Sequence, residues 1–148
     1  MDAHAAFGHE PELRPEYAET FALFGHLAYK VKPLRNVLAL HLYEVDGEML
    51  PHVLMHDVLD WLLEQVNAGP SGLVRTVLDI LDAAYVDGSE DLQAVMVVSF
   101  LEAIPGFAGR ADDAVLAGKA LRMQLGPTLA SVLAHIEQAR AQGANPQG

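Results

Sequence analysis

The sequence has no cysteine, which removes disulfides, thiolate chemistry and every zinc site built on sulfur. Any metal would have to be held by His and carboxylate groups. Basic residues are scarce: nine Lys and Arg stand against twenty Asp and Glu, for a formal charge of -11. A surface of that sign repels phosphate backbones and argues against direct nucleic-acid binding. Long apolar runs are also missing. The most apolar stretch, Leu92 to Ile104, is broken by Glu102 and falls short of the roughly 20 residues a membrane-crossing helix requires. The N-terminus, Met1 to Glu12, carries Asp2, Glu10 and Glu12 without a Lys or Arg, so it lacks the basic and apolar regions of a secretory signal. These absences lead to the expectation of a soluble cytoplasmic chain with no membrane contact. At 148 residues it has the length of one domain, able to bury about 68–70% of its unfolded surface.

The acid present is unevenly placed. Residues 1–35 hold five acids and four bases, and residues 110–148 hold three acids and four bases. From Asn36 to Gly109 there are twelve acids against Arg75 alone, so the middle segment carries the whole imbalance. Such a field attracts a basic partner, although excess acid also serves simply to keep a small protein soluble.

Apolar spacing predicts helices nearly throughout. Pro15 opens a helix with Tyr17, Phe21, Phe24, Leu27 and Ala28 on its apolar side, ending before Pro33. Leu34 to Val45 fits either period, since Leu38, Leu40 and Leu42 alternate like a strand and Asp46-Gly47 suits a hairpin turn. The stripe Leu34, Val37, Leu38, His41, Leu42 and Val45, together with Pro51 in the partner segment, favours helix. Pro51 starts the next helix, with Leu54, Val58, Trp61, Leu62 and Val66 on one side and Gly69-Pro70 as its stop. Ser71 caps a helix carrying Val74, Val77, Leu78, Leu81 and Tyr85 to Asp87-Gly88, and Ser89 caps another that reaches Ile104-Pro105-Gly106. The uncharged centre of that helix, Ala94 to Leu101, predicts the most buried helix of the domain. Two more helices follow, from Asp112 to Leu125 and from Leu129 to about Gly143. The expected fold is all-α, about six helices in antiparallel hairpins, closed into a bundle or stacked in a short HEAT-like array. One domain spans residues 1–142, frayed over 1–10, with 143–148 as a disordered tail. The expected core is Leu54, Val58, Trp61, Leu62, Leu78, Leu81, Val95, Met96 and Phe100.

Two constellations stand out as candidate sites. His52, His56 and Asp60 lie at successive i, i+4 positions on one helix face, three nitrogen and oxygen ligands of a kind that can hold zinc or iron. His41 and Glu48 would join them only if the preceding turn folds back. The glutamate that follows the first histidine in zinc hydrolases is absent. The bland alternative has His52 bonding a backbone group and His56 solvated. The second constellation is acidic: Asp57, Asp60 and Glu64 share one helix face, Asp79 and Asp82 line a face of the next, and adjacent packing would merge them into a surface for a basic protein. Asp79, four residues after Arg75, also reads as half of a surface ion pair. No nucleophile stands in a recognisable context, and the glycines form neither a P-loop nor a dinucleotide fingerprint.

The run Glu44 to Trp61 contains Asp46, Gly47, Glu48, Leu50, Pro51, His52, Asp57 and Trp61 in the pattern D-G-E-x-L-P-H-x-x-x-x-D-x-x-x-W. With Val98-Ser99-Phe100-Leu101-Glu102, it resembles a family of small bacterial helical proteins similar in style to the immunity proteins that accompany toxins. The resemblance covers about residues 34–126 and implies a helical cytosolic protein without supplying an activity. His56 falls where that pattern does not call for histidine, which tells against the metal reading. The leading expectation is a non-catalytic acidic interaction domain without a cofactor, an immunity protein that neutralises a basic toxin or nuclease. The alternatives are a His/carboxylate metal-binding protein or metalloenzyme, and a helical module that assembles into a homo-oligomer.

Overall fold

The structure is a computed structural model that describes residues 15–44, 50–68, 72–105 and 112–143. Proline is the first residue of four of its helices, where a missing N–H is harmless and the fixed φ is already helical. The elements are α1 (Pro15–Lys30), α2 (Pro33–Glu44), α3 (Pro51–Ala68), α4 (Gly72–Asp87), α5 (Glu90–Met96), which continues into a π-helical turn (Val97–Leu101), α6 (Asp112–Gln124) and α7 (Pro127–Gly143). No strand occurs among the described residues, so Leu34 to Glu44 is helical as its broad apolar stripe implies. The Asp46-Gly47 turn, Glu48, the Gly69-Pro70 stop, the Ser71 cap, the frayed start and residues 144–148 of the tail lie outside the described residues. Gly143, expected in that tail, is the last residue of α7.

The helices close on one another. α3 touches α2, α4, α5, the π-helical turn and α6, while α1 packs on α4 and α5 and α4 packs on α7. In a solenoid each repeat meets only its neighbours; contacts that skip this far along the chain make a bundle. All nine expected core residues are buried, Trp61 at 8% exposure being the most open with Val95. No helix among the described residues is long and apolar enough to cross a membrane.

Two details of burial differ from expectation. Phe21 is 60% exposed: the buried side of α1 runs through Thr20, Leu23, Phe24 and Leu27, and Phe21 sits about 110° around from its centre at 100° per residue. The uncharged middle of α5 is not enclosed on all sides either. Ala94 is exposed, and Val98 in the π-helical turn is 53% exposed, yet α5 and that turn bury three residues each, six in twelve, against six in eighteen for α3. Small and branched side chains carry no charge to announce a solvent face, so composition did not mark Ala94 and Val98 as its open side.

Long-range caps fix the helix ends. Ser89 accepts from the Leu92 N–H at 3.3 Å, as expected of an N-cap, and its own N–H donates to Glu19 Oε2 at 2.8 Å while its hydroxyl donates to Glu19 Oε1. Glu19 thereby ties α1 to the start of α5, where a carboxylate also meets the positive end of the helix dipole. After the π-helical turn the Glu102 N–H reaches back five residues to the Val97 carbonyl at 2.8 Å. Arg122 then donates to the Pro105 carbonyl at 2.9 Å, beside Gly118, where an added Cβ would lie 1.8 Å from the same oxygen.

Candidate functional site

Helices α2 and α3 form a hairpin, and between them lies a notch of about 190 Å³. The last two turns of α2 supply Leu40, His41 and Glu44; α3 supplies Asp57, Asp60, Trp61 and Glu64. The spacing i, i+3, i+4, i+7 along α3 puts these four on one stripe. Four carboxylates thus face one small space, walled by an indole and a leucine, and among the described residues no Lys or Arg lines it. Glu44 stands at the C-terminus of α2, where the helix dipole adds further negative potential.

His41 holds the floor of the notch. It is 1% exposed, and its Nε2 accepts a hydrogen bond from the Leu50 N–H at 3.0 Å. An accepting Nε2 carries no proton, so the neutral ring has its proton on Nδ1, which faces Asp57 Oδ2 at 3.5 Å. One imidazole therefore joins the end of α2, the approach to α3 and the first acid of the notch. Burial raises the pKa of Asp57 above its ordinary value of 3.8; His41 opposes that shift, and Asp60 and Glu44 add to it. The acids of the notch repel one another, and a cation entering it would relieve that repulsion.

The expected acidic residues divide into groups. Asp57, Asp60 and Glu64 meet in the notch, whereas Asp79 and Asp82 do not join them. Asp79 pairs with Arg75 at 3.0 Å, whose other arm donates to the Gln124 carbonyl at 2.7 Å. Asp82 accepts from the Thr128 and Leu129 N–H groups at 3.2 and 2.7 Å, capping α7 across the α4–α7 contact. The merger of the two acidic faces fails because α4 turns Asp82 toward α7. Asp57 is also less free than its neighbours, at 36% side-chain exposure against His41.

The candidate metal ligands disperse as well. His52 shares a 2.5 Å hydrogen bond through Nδ1 with Ser99 Oγ, a side chain rather than the backbone group expected. His56 and Asp60 line a second cavity of about 520 Å³ with Glu102, which faces Arg140 at 3.7 Å. Among the described residues no three His, Asp or Glu side chains are grouped to hold a metal ion. The Ser99–His52 pair is no exposed nucleophile, since Ser99 is only 3% exposed. It joins α3 to the π-helical turn across 47 residues of sequence, and Asp57 and Trp61, further along α3, line the notch.

Sequence reasoning missed Leu40 and Glu44 and gave His41 only a conditional role. The i, i+3, i+4, i+7 spacing of Val37, Leu40, His41 and Glu44 was present, but its meaning depends on which helix faces it. No curated protein and no solved structure matches the chain. A family model described as a domain of unknown function, DUF7674, matches residues 8–140, and the chain belongs to that family.

Proposed function

We propose that the chain is a non-catalytic interaction domain that captures a basic protein partner through the α2–α3 notch, as an immunity protein covers a basic toxin or nuclease domain. The observation that carries this reading is the convergence of Glu44, Asp57, Asp60 and Glu64 on one notch that no Lys or Arg of the described residues lines. An arginine or lysine of the partner would place its cation among the carboxylates and its stem against Leu40 and Trp61. Charge of one sign over the surrounding segment would raise the encounter rate before contact, over a screening length of about 8 Å at physiological salt.

The test is the association rate with the basic partner recovered on the intact protein. Asp60 and Glu64 are exposed, so Asp60→Lys/Glu64→Lys leaves the fold intact, whereas reversing Asp57 would disturb His41. The double reversal slows association and flattens its salt dependence; reversal of Asp91 and Glu137, elsewhere on the surface, does much less. Equal effects from the two pairs would mean that total charge, and not the notch, governs binding.

A further inference from the structure

A larger cavity, of about 480 Å³, lies away from the notch in the groove between α1 and α4 and is closed at one end by the start of α5. Its volume falls in the range of small-ligand sites, roughly 300–1,000 Å³. The groove is hollow because α1 and α4 meet there through small side chains, Ala22, Ala83 and Ala84, with Ile80 completing an apolar floor. Among the described residues its charged lining is acidic: Asp79 and Asp87 stand on α4 and Glu19 on α1, with His26 beside them. Glu19 already receives two bonds from Ser89, and Asp79 shares Arg75. Asp87 is exposed and is the carboxylate best placed to receive a ligand.

We propose that this groove binds a small amphiphilic amine, its ammonium group on Asp87 and its apolar chain along Ile80, Ala83 and Ala84. Charge complementarity selects the headgroup: the carboxylates of the rim repel an anion, and the nearby Arg75 is already held by Asp79 and by the Gln124 carbonyl. Length selects the body: Asp79 and Asp87 are eight residues apart, about 12 Å along the helix axis at 1.5 Å per residue, so an extended chain of about eight carbons spans the floor. This site is separate from the notch and stands or falls independently of the interaction reading.

The experiment is an NMR titration of the full chain with octylamine, octanoate and octanol, three probes of one length that differ in charge. Octylamine gives saturable amide shifts confined to Ala22, Ile80, Ala83, Ala84, Asp87 and Gly88, and the other two bind more weakly. Asp87→Asn lowers the octylamine affinity by about tenfold, as loss of a hydrogen bond to a charged group does. Ala83→Trp, a change at an exposed position, fills the groove and abolishes the shifts; its melting curve checks the fold, and the Asp87→Asn result decides the matter should that variant unfold. Octanoate or octanol binding as tightly as octylamine would overturn the proposal. So would shifts centred on Asp60 and Glu64, or unchanged affinity in Asp87→Asn.

Discussion

Replacing His41 by alanine removes a side chain that joins α2, Leu50 before α3 and the notch. The Leu50 N–H loses its acceptor 3.0 Å away, and a part-buried donor left unmade costs about 1–3 kcal/mol. The vacated space, 1% exposed in the native protein, adds a cavity term, which brings the whole to about 2–4 kcal/mol. Asp57 contributes little to this sum, because at 36% exposure its carboxylate can turn to water. Urea unfolding followed by the emission of Trp61, the single tryptophan, measures the loss. Two further variants separate its parts. His41→Gln keeps an acceptor near the position of Nε2, and His41→Asn keeps a polar group only near Nδ1. Glutamine recovers more stability than asparagine, and the Leu50 amide exchanges faster in the alanine and asparagine variants than in the wild type. An alanine variant within about 0.5 kcal/mol of wild type, the range of an ordinary surface substitution, would mean that His41 does not hold the hairpin, as would asparagine rescuing better than glutamine.

Trp61→Ala, at a site 8% exposed, lowers the unfolding free energy by about 3–5 kcal/mol, measured by circular dichroism because the fluorophore is gone. Gly118→Ala drives a Cβ to within 1.8 Å of the Pro105 carbonyl oxygen and destabilises by about 2 kcal/mol or more, whereas Gly25→Ala meets nothing within 4 Å in mid-helix and stabilises by about 0.5–1 kcal/mol; thermal melts rank the pair. Burial holds Asp57 above its ordinary value of 3.8, so between that value and the raised one the folded state binds more protons than the unfolded state, and this group makes stability fall as pH rises through that window. Asp57→Asn removes that component, and a wild-type minus variant difference that stays flat from about pH 3.5 to about pH 6 would contradict it.

The fold was legible because its punctuation is local. Prolines at first-turn positions and the Ser89 cap mark helix ends within a few residues, and the apolar periods locate the core. Even so, period did not reveal that Phe21 faces solvent, because neighbouring Thr20 and Leu23 complete the buried side better. Half of the site was legible for the same reason: Asp57, Asp60 and Glu64 share a stripe at helical spacing whatever surrounds them. The rest depends on which helices meet. Ser99 is 47 residues from His52, and Asp82 is 46 residues from the amide it caps at Thr128; spacing along the chain carries no trace of such pairings. His41 is a subtler case, since its partner is a backbone amide, a group every residue offers and none advertises.

The notch makes one claim above the others, that it is a specific site for a cation and not a patch of solubilising charge. Amide and indole shifts during titration of the full chain with N-acetylarginine amide test this directly, with N-acetylglutamate amide as the opposite-charge control. Shifts gather on Leu40, Glu44, Asp57, Asp60, Trp61 and Glu64, weaken with salt and are lost in Asp60→Lys/Glu64→Lys. Shifts of equal size at Glu90, Asp91 and Glu137, persisting in that variant, would contradict the claim.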